Sequence, residues 1–174
     1  MRTLDDTATT HRDELLDKAV SYAAARRGAG APPGDATADL LRYYYRHVAV
    51  EDIAERSEVD LYGAAMSHYQ LASHRPQGTA SIRVFTPTVA EHGWSAGGHT
   101  VVEVVTDDMP FLVDSVTMEL NGENREVHTV VHPQVLVRRD VTGALQEVFT
   151  DPAAYDRQAA KLAALFRQES RKYA

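Results

Sequence analysis

Residues 101–105 read Val-Val-Glu-Val-Val and run directly into Thr106-Asp107-Asp108-Met109-Pro110-Phe111-Leu112-Val113-Asp114-Ser115-Val116. No other stretch restricts the fold as strongly. β-branched residues this dense lose side-chain freedom in a helix and suit a buried strand. Two acids and a proline then end the strand. Asp107 and Asp108 are residues of the helix-capping type, and Pro110 suits a first helical turn, where a missing N–H costs nothing. Leu112, Val113, Val116 and Leu120 follow at helical spacing, and Gly122 is a helix stop. Glu126-Val127-His128-Thr129-Val130-Val131-His132 returns to strand-like composition. Strand, acidic turn, helix and strand in this order belong to a small α+β domain.

The chain before this unit reads as helices. Thr10-His11-Arg12-Asp13 is a capping-type start for a helix to about residue 27, after a polar stretch at 1–9. Leu15, Leu16, Ala19, Val20 and Ala23 share one face of it. Glycines and prolines at 28–34 make a loop. A helix over 37–47 carries Leu40, Leu41, Tyr44 and Tyr45, with Val48 next in the spacing, and a helical turn covers 51–55. Ser57 caps a third long helix with the stripe Leu61, Tyr62, Ala65, Met66, Tyr69 and Ala72. The period then switches to two over 81–86, with Ile82 and Val84 on one side. Strands are expected at 126–132, 134–139 and 144–150, the last two joined by the turn Asp140-Val141-Thr142-Gly143. Asp151-Pro152 opens an amphipathic helix to about residue 172. The expected division is a helical segment over 1–78, an α+β domain over 79–150 and a carboxy-terminal helix over 151–174.

The balance of charges narrows the partners. A net charge of -7 gives no clustered basic surface for nucleic acid or an anionic membrane. No apolar run is long enough to span a bilayer. Cysteine is absent, which removes disulfides, thiolate metal sites and a cysteine nucleophile and fits a cytoplasmic setting.

An α+β unit in this order resembles the ACT group of ferredoxin-like domains, many of which bind amino acids and regulate enzymes. Their first turn follows a D-x-P-G-L pattern, and Asp108-Met109-Pro110-Phe111-Leu112 stands in its place. Phe111 replaces the glycine, so a side chain stands where a ligand would approach the backbone. The resemblance implies a ligand-binding turn at Asp107, Asp108, Met109, Phe111 and Leu112. Over a longer span the chain resembles the amino-terminal region of the large bacterial NAD-specific glutamate dehydrogenases. Asp60-Leu61-Tyr62-Gly63-Ala64-Ala65, Val84-Phe85-Thr86-Pro87-Thr88, the run from His99 to Leu120 and Val130-Val131-His132-Pro133-Gln134 carry that likeness. It implies a regulatory, non-catalytic segment of an enzyme that deaminates glutamate to 2-oxoglutarate, with NAD and glutamate bound by later domains. The first part of the last stretch, 151–162, looks like the terminal helix of ATP-dependent phosphoenolpyruvate carboxykinases, a short and alanine-rich likeness.

Other chemistry is weaker. His128 and His132 lie on one face of their expected strand with Glu126, but i and i+4 on a strand stand roughly 13 Å apart. That is too far for one zinc held at about 2 Å from each ligand. Asp107, Asp108, Asp114 and Glu119 are acids without a partner pattern for acid–base work. Asp114-Ser115 lacks the G-x-S-x-G elbow of a hydrolase, and the glycines at 28–34 lack a phosphate-loop lysine. Tyr43, Tyr44 and Tyr45 point in different directions on a helix, which favours core packing with one exposed ring over a base-stacking platform. Trp94, in a glycine-rich loop, is either an exposed partner contact or a cover for the sheet. No catalytic residue, metal or cofactor is therefore expected in this chain. The expected partners are the other domains of a parent dehydrogenase or a second copy, joined through the thinly protected strand at 81–86, and an amino-acid effector. The alternative is a stand-alone ACT-type sensing or interaction module.

Overall fold

The computed structural model describes residues 4–26 and 36–151, together with 153, 157 and 160. The loop expected at 28–34 and most of the helix expected over 151–172 lie outside the described residues. Where that helix would begin, Asp151 accepts from the Ala153 N–H at 2.9 Å and pairs with Arg157 at 2.8 Å.

Helix α1 runs Leu4–Ala25, so Thr10 lies inside it and not at its start. No glycine or proline interrupts this span, and helix growth beyond a nucleus is cheap. Helix α2, Ala36–Tyr44, is shorter than its expected span. Its exit tightens, with Arg46 N–H donating to Tyr43 O and Val48 N–H to Tyr45 O. Arg12 of α1 then donates to the Arg46 and Val48 carbonyls at 3.2 and 2.7 Å, satisfying groups that a helix end leaves open. A short helix α3 covers Val50–Ala54, and α4 covers Glu58–Ala72. Ser57 caps α4 as expected, its hydroxyl accepting from the Asp60 N–H at 3.2 Å.

These helices enclose the core. Leu16, Ala19 and Ala23 of α1 meet Leu40 and Leu41 of α2, then Tyr45, Val48 and Ile53, then Leu61, Ala65 and Met66 of α4. Each such large apolar side chain removed from water contributes about 1.5–3 kcal/mol. Tyr45 satisfies its buried hydroxyl on Leu61 O at 2.8 Å. None of the three consecutive tyrosines is an exposed ring. Trp94 is buried and lies on α4 over Gly63, where an added Cβ would come within 2.3 Å of the tryptophan.

The second half is α+β, as expected. β1 (Ser81–Phe85) pairs antiparallel with β2 (Val101–Val105), joined through the single helical turn α5 (Val89–His92). α6 covers Leu112–Gly122, and β3 (Leu136–Arg139) pairs with β4 (Leu145–Phe149) in a second hairpin. The turn between them is built on Asp140, whose carboxylate accepts from Thr142 and Ala144. Gly143 there has φ +92°, and a Cβ on it would stand 2.5 Å from Arg75 O.

Two expectations are corrected. The stretch at 126–132 is not a laddered strand, and the antiparallel pairs form two separate two-stranded sheets. A period-two pattern reports which side chains are buried, not whether the backbone is paired, and Pro133 has no N–H to give. Asp107 and Asp108 do not cap α6. Its N-cap is Phe111, with no side-chain cap, and Pro110 lies in the turn before the helix. Ile82 and Val84 share one side of β1, as expected, and that side points outward, 63% and 62% exposed. The face of β1–β2 that packs on α4 instead carries Arg83 opposite Glu103. α4 supplies Ser67, whose hydroxyl and carbonyl accept from Arg83 at 2.7 and 2.8 Å, and that polar anchorage decides which face turns inward.

Candidate ligand site at the strand-helix turn

The chain leaves β2 at Val105 and enters α6 at Leu112 through a turn that ends on a strained residue. Phe111 has φ 63° and ψ 13°, in the left-handed region. A bulky side chain is a rare occupant there, and such strain concentrates at functional turns. This is the backbone shape that the glycine of a D-x-P-G-L turn adopts freely. Phe111 is 77% exposed and forms part of the cleft lining, so it does not close the turn off from solvent.

The first intrahelical bond visible here is Ser115 N–H to Phe111 O at 2.9 Å. The N–H groups of Leu112, Val113 and Asp114 therefore have no acceptor within the helix, and they form its positive end. They border an open cleft of about 450 Å³ lined by Asp108, Met109, Pro110, Phe111, Leu112, Val113, Asp114, His132 and Gln134. Gln134 reaches across it and donates to both Asp108 carboxylate oxygens at 3.2 and 3.3 Å. The cleft thus brings the first turn of α6 together with two carboxylates, those of Asp108 and Asp114. It is suited to a small zwitterion, whose carboxylate takes the helix end and whose ammonium takes the acids.

Of the five residues expected at the turn, Asp108, Met109, Phe111 and Leu112 border this cleft and Asp107 does not. Asp107 is held by Arg75, whose hydrogen bond keeps its carboxyl below the usual carboxylate range. Arg75 is almost fully buried and also donates to Thr79 O at 2.7 Å. Arg139 of β3 joins the same corner, donating to Ala72 O at 2.7 Å and Gly143 O at 3.1 Å. Asp107 is therefore a structural joint between the end of α4, the turn and the β3–β4 hairpin. His132 and Gln134 come to the cleft from twenty residues further along, and only their place in the stretch Val130–Gln134 hinted at it.

Behind the turn, His68 of α4 sits between Tyr44 of α2 and β2. Its Nε2 contacts Val104 O at 3.1 Å and its Nδ1 contacts the Tyr44 hydroxyl at 3.1 Å. A carbonyl only accepts, so Nε2 carries the proton and a neutral ring takes Tyr44 O–H at Nδ1. Burial lowers the His68 pKa, against the opposing pull of the Val104 carbonyl and Glu103.

His128 lies against His99, ring centroids 4.5 Å apart, and not against His132. Among the described residues no group of three or more His, Cys, Asp or Glu is placed to hold a metal ion. A second hollow of about 350 Å³ is lined by Tyr22, Tyr62, Gln70, Arg83 and His92 among others. No described helix is long and apolar enough to cross a membrane.

A cleft at a strand-to-helix turn, on paired antiparallel strands backed by helices, defines an ACT-like α+β domain. Residues 40–171 match the model of the family described as "Glutamate dehydrogenase, ACT1 domain", and the chain belongs to that family. Over 105 residues, 60% of the chain, it is 40% identical to an NAD-specific glutamate dehydrogenase of Halomonas elongata. The corresponding match to an NAD-specific glutamate dehydrogenase of Pseudomonas aeruginosa is 35% identical over 105 residues and 60% of the chain. The matched segment spans 6% of each of these relatives. No solved structure matches the chain.

Proposed function

We propose that this chain is a non-catalytic regulatory region of an NAD-dependent glutamate dehydrogenase, and that an amino-acid effector binds at the turn before α6. The parent reaction is the oxidative deamination of L-glutamate to 2-oxoglutarate in the cytoplasm, with NAD held by domains outside this chain. The observation that carries the effector site is Phe111, held at φ 63° at the head of α6 beside Asp108 and Asp114. Leu112, Val113 and Asp114, the first residues of α6, line the same cleft. The units of this reading are the helical segment over 1–78, the ACT-like domain over 79–150 and a terminal helix over 151–174. The partners are the remaining domains of the parent enzyme or a second copy, met through the outer edge of β1 beside exposed Ile82 and Val84.

The test is a titration of the purified chain with the common L-amino acids, followed through the amide resonances of residues 112–114. Saturable shifts with one class of amino acid, lost in Asp114→Asn, support the site. Unmoved resonances with every amino acid at millimolar concentration overturn it.

A further inference from the structure

The stretch from Glu126 to Gln134 has the side-chain pattern of a strand without the ladder of one. Val127, Thr129, Val131 and Pro133 are half-buried, and the even-numbered residues between and beside them are exposed, a full alternation over nine positions. Val131 packs against the helical core. None of the backbone–backbone hydrogen bonds of the described residues involves 126–134.

Its two ends show where it lies. The His128 ring meets His99, just before β2, and the Gln134 amide meets Asp108, just after β2. The stretch therefore runs beside β2 in the same direction. β2 pairs with β1 on one side, and its other edge has no strand partner among the described residues. β2, α6 and this stretch form a strand–helix–strand crossover, the connection that parallel pairing requires. The cleft lies at the carboxyl ends of β2 and this stretch, the place where open α/β layouts bind ligands.

We propose that a ligand in the cleft seats residues 127–133 on β2 as a third, parallel strand, and that this is how occupancy reaches the helical half. This rests on the amino-acid site proposed above. The ligand touches both sides of the gap, because Asp108 to Asp114 come from the turn and His132 and Gln134 come from the stretch. Gln134 spans the gap already and is tied to α2 by the Tyr43 hydroxyl, which donates to Gln134 O at 2.7 Å. A ligand that replaces or reinforces the long Gln134–Asp108 bonds draws the two sides together and brings unpaired backbone groups within reach of β2. Seating the stretch then moves Tyr43 of α2 through its hydrogen bond, and Val131, which packs against the helical core.

The experiment is amide hydrogen exchange on the whole chain, with and without each L-amino acid at millimolar concentration, read beside the 112–114 resonances. With the amino acid that shifts 112–114, protection within 128–132 and along β2 is expected to rise about tenfold or more, as pairing closes fast-exchanging amides. Thr129→Pro, outside the cleft, is expected to keep the shifts at 112–114 while abolishing that protection, because the stretch loses a backbone N–H. Tyr43→Phe is expected to keep both while removing the response of α2. Shifts at 112–114 without new protection overturn the strand-seating proposal and leave the effector site standing. No shift with any amino acid overturns both.

Discussion

The helical half and the sheet half are stabilised in different ways. Residues up to Ala72 contain Leu16, Leu41 and Ile53, three of the largest fully buried side chains. α6, by contrast, has no buried residue, and Ile82 and Val84 of β1 stand in the open. What holds β1–β2 to the helices is largely polar: Arg83 with Glu103 and Ser67, and His68 with Tyr44 and Val104. An apolar core tolerates little loss of volume, while a polar junction is sensitive to charge and pH. The fold therefore joins a base held by apolar packing to a part held largely by polar contacts, which suits the responsive role proposed above.

The largest effect should come from the base. Leu41→Ala is expected to lower unfolding free energy by about 3–4 kcal/mol, since the residue is fully enclosed. Val116→Ala on half-buried α6 should cost under about 1 kcal/mol. Urea denaturation of both variants checks this, and equal losses would break the contrast between the halves.

The junction comes next. Glu103 is 4% exposed while its partner Arg83 is 37% exposed, so part of the pair's attraction is screened by water. Glu103→Gln keeps the shape and removes the charge, and is expected to cost about 2 kcal/mol. The loss should appear as freed exchange in β1 and β2 before the helices open. Uniform loss across both halves would show that the junction is not separable from the core.

The pH response sharpens the same division. His68 has a pKa below its ordinary 6.5 in the folded chain, so the unfolded chain takes up the proton first. Stability should be fully present above that value and fall as pH drops through it, levelling once the folded ring also protonates. Asp107, lowered from 3.8, loses its contribution only at more acid pH, as the carboxyl protonates away from Arg75. A pH series of thermal melts on the protein and on His68→Gln checks this: the variant should lack the first step and keep the second.

The smallest expected effect lies at the turn. Phe111→Gly relieves a left-handed backbone costing about 1–2 kcal/mol and adds unfolded-state freedom worth about 0.5–1 kcal/mol. A small gain in melting temperature is expected, with the sheet half benefiting and the core unchanged. A loss would mean that the exposed ring makes a stabilising contact.

Much of this could be read in advance because it depends on local spacing. The apolar stripes of α1, α2 and α4, the Ser57 cap, the Asp140 turn and the valine strand each follow from residues a few positions apart. The turn at Asp108–Leu112 was visible for the same reason. Its completion by His132 and Gln134 was not, since those residues arrive from across a helix. Asp107 and Asp108 misled as caps because capping residues look alike whether they meet a helix end, an arginine or a glutamine amide. Phe111 looked like an obstruction because only the backbone angle decides where its ring goes.

By itself the sequence determined the alternation of elements, the helical base and the family to which the chain belongs. Short-range periodicity is enough for the first two, and a long match of residue identities for the third. Tertiary structure alone decided which face of β1 is buried, where the two acids go and that 126–134 stays unladdered. The physical reason is that a strand pattern is the same read from either face. Only the partners brought by other elements, Ser67 for Arg83, Arg75 for Asp107 and Tyr43 for Gln134, break that symmetry.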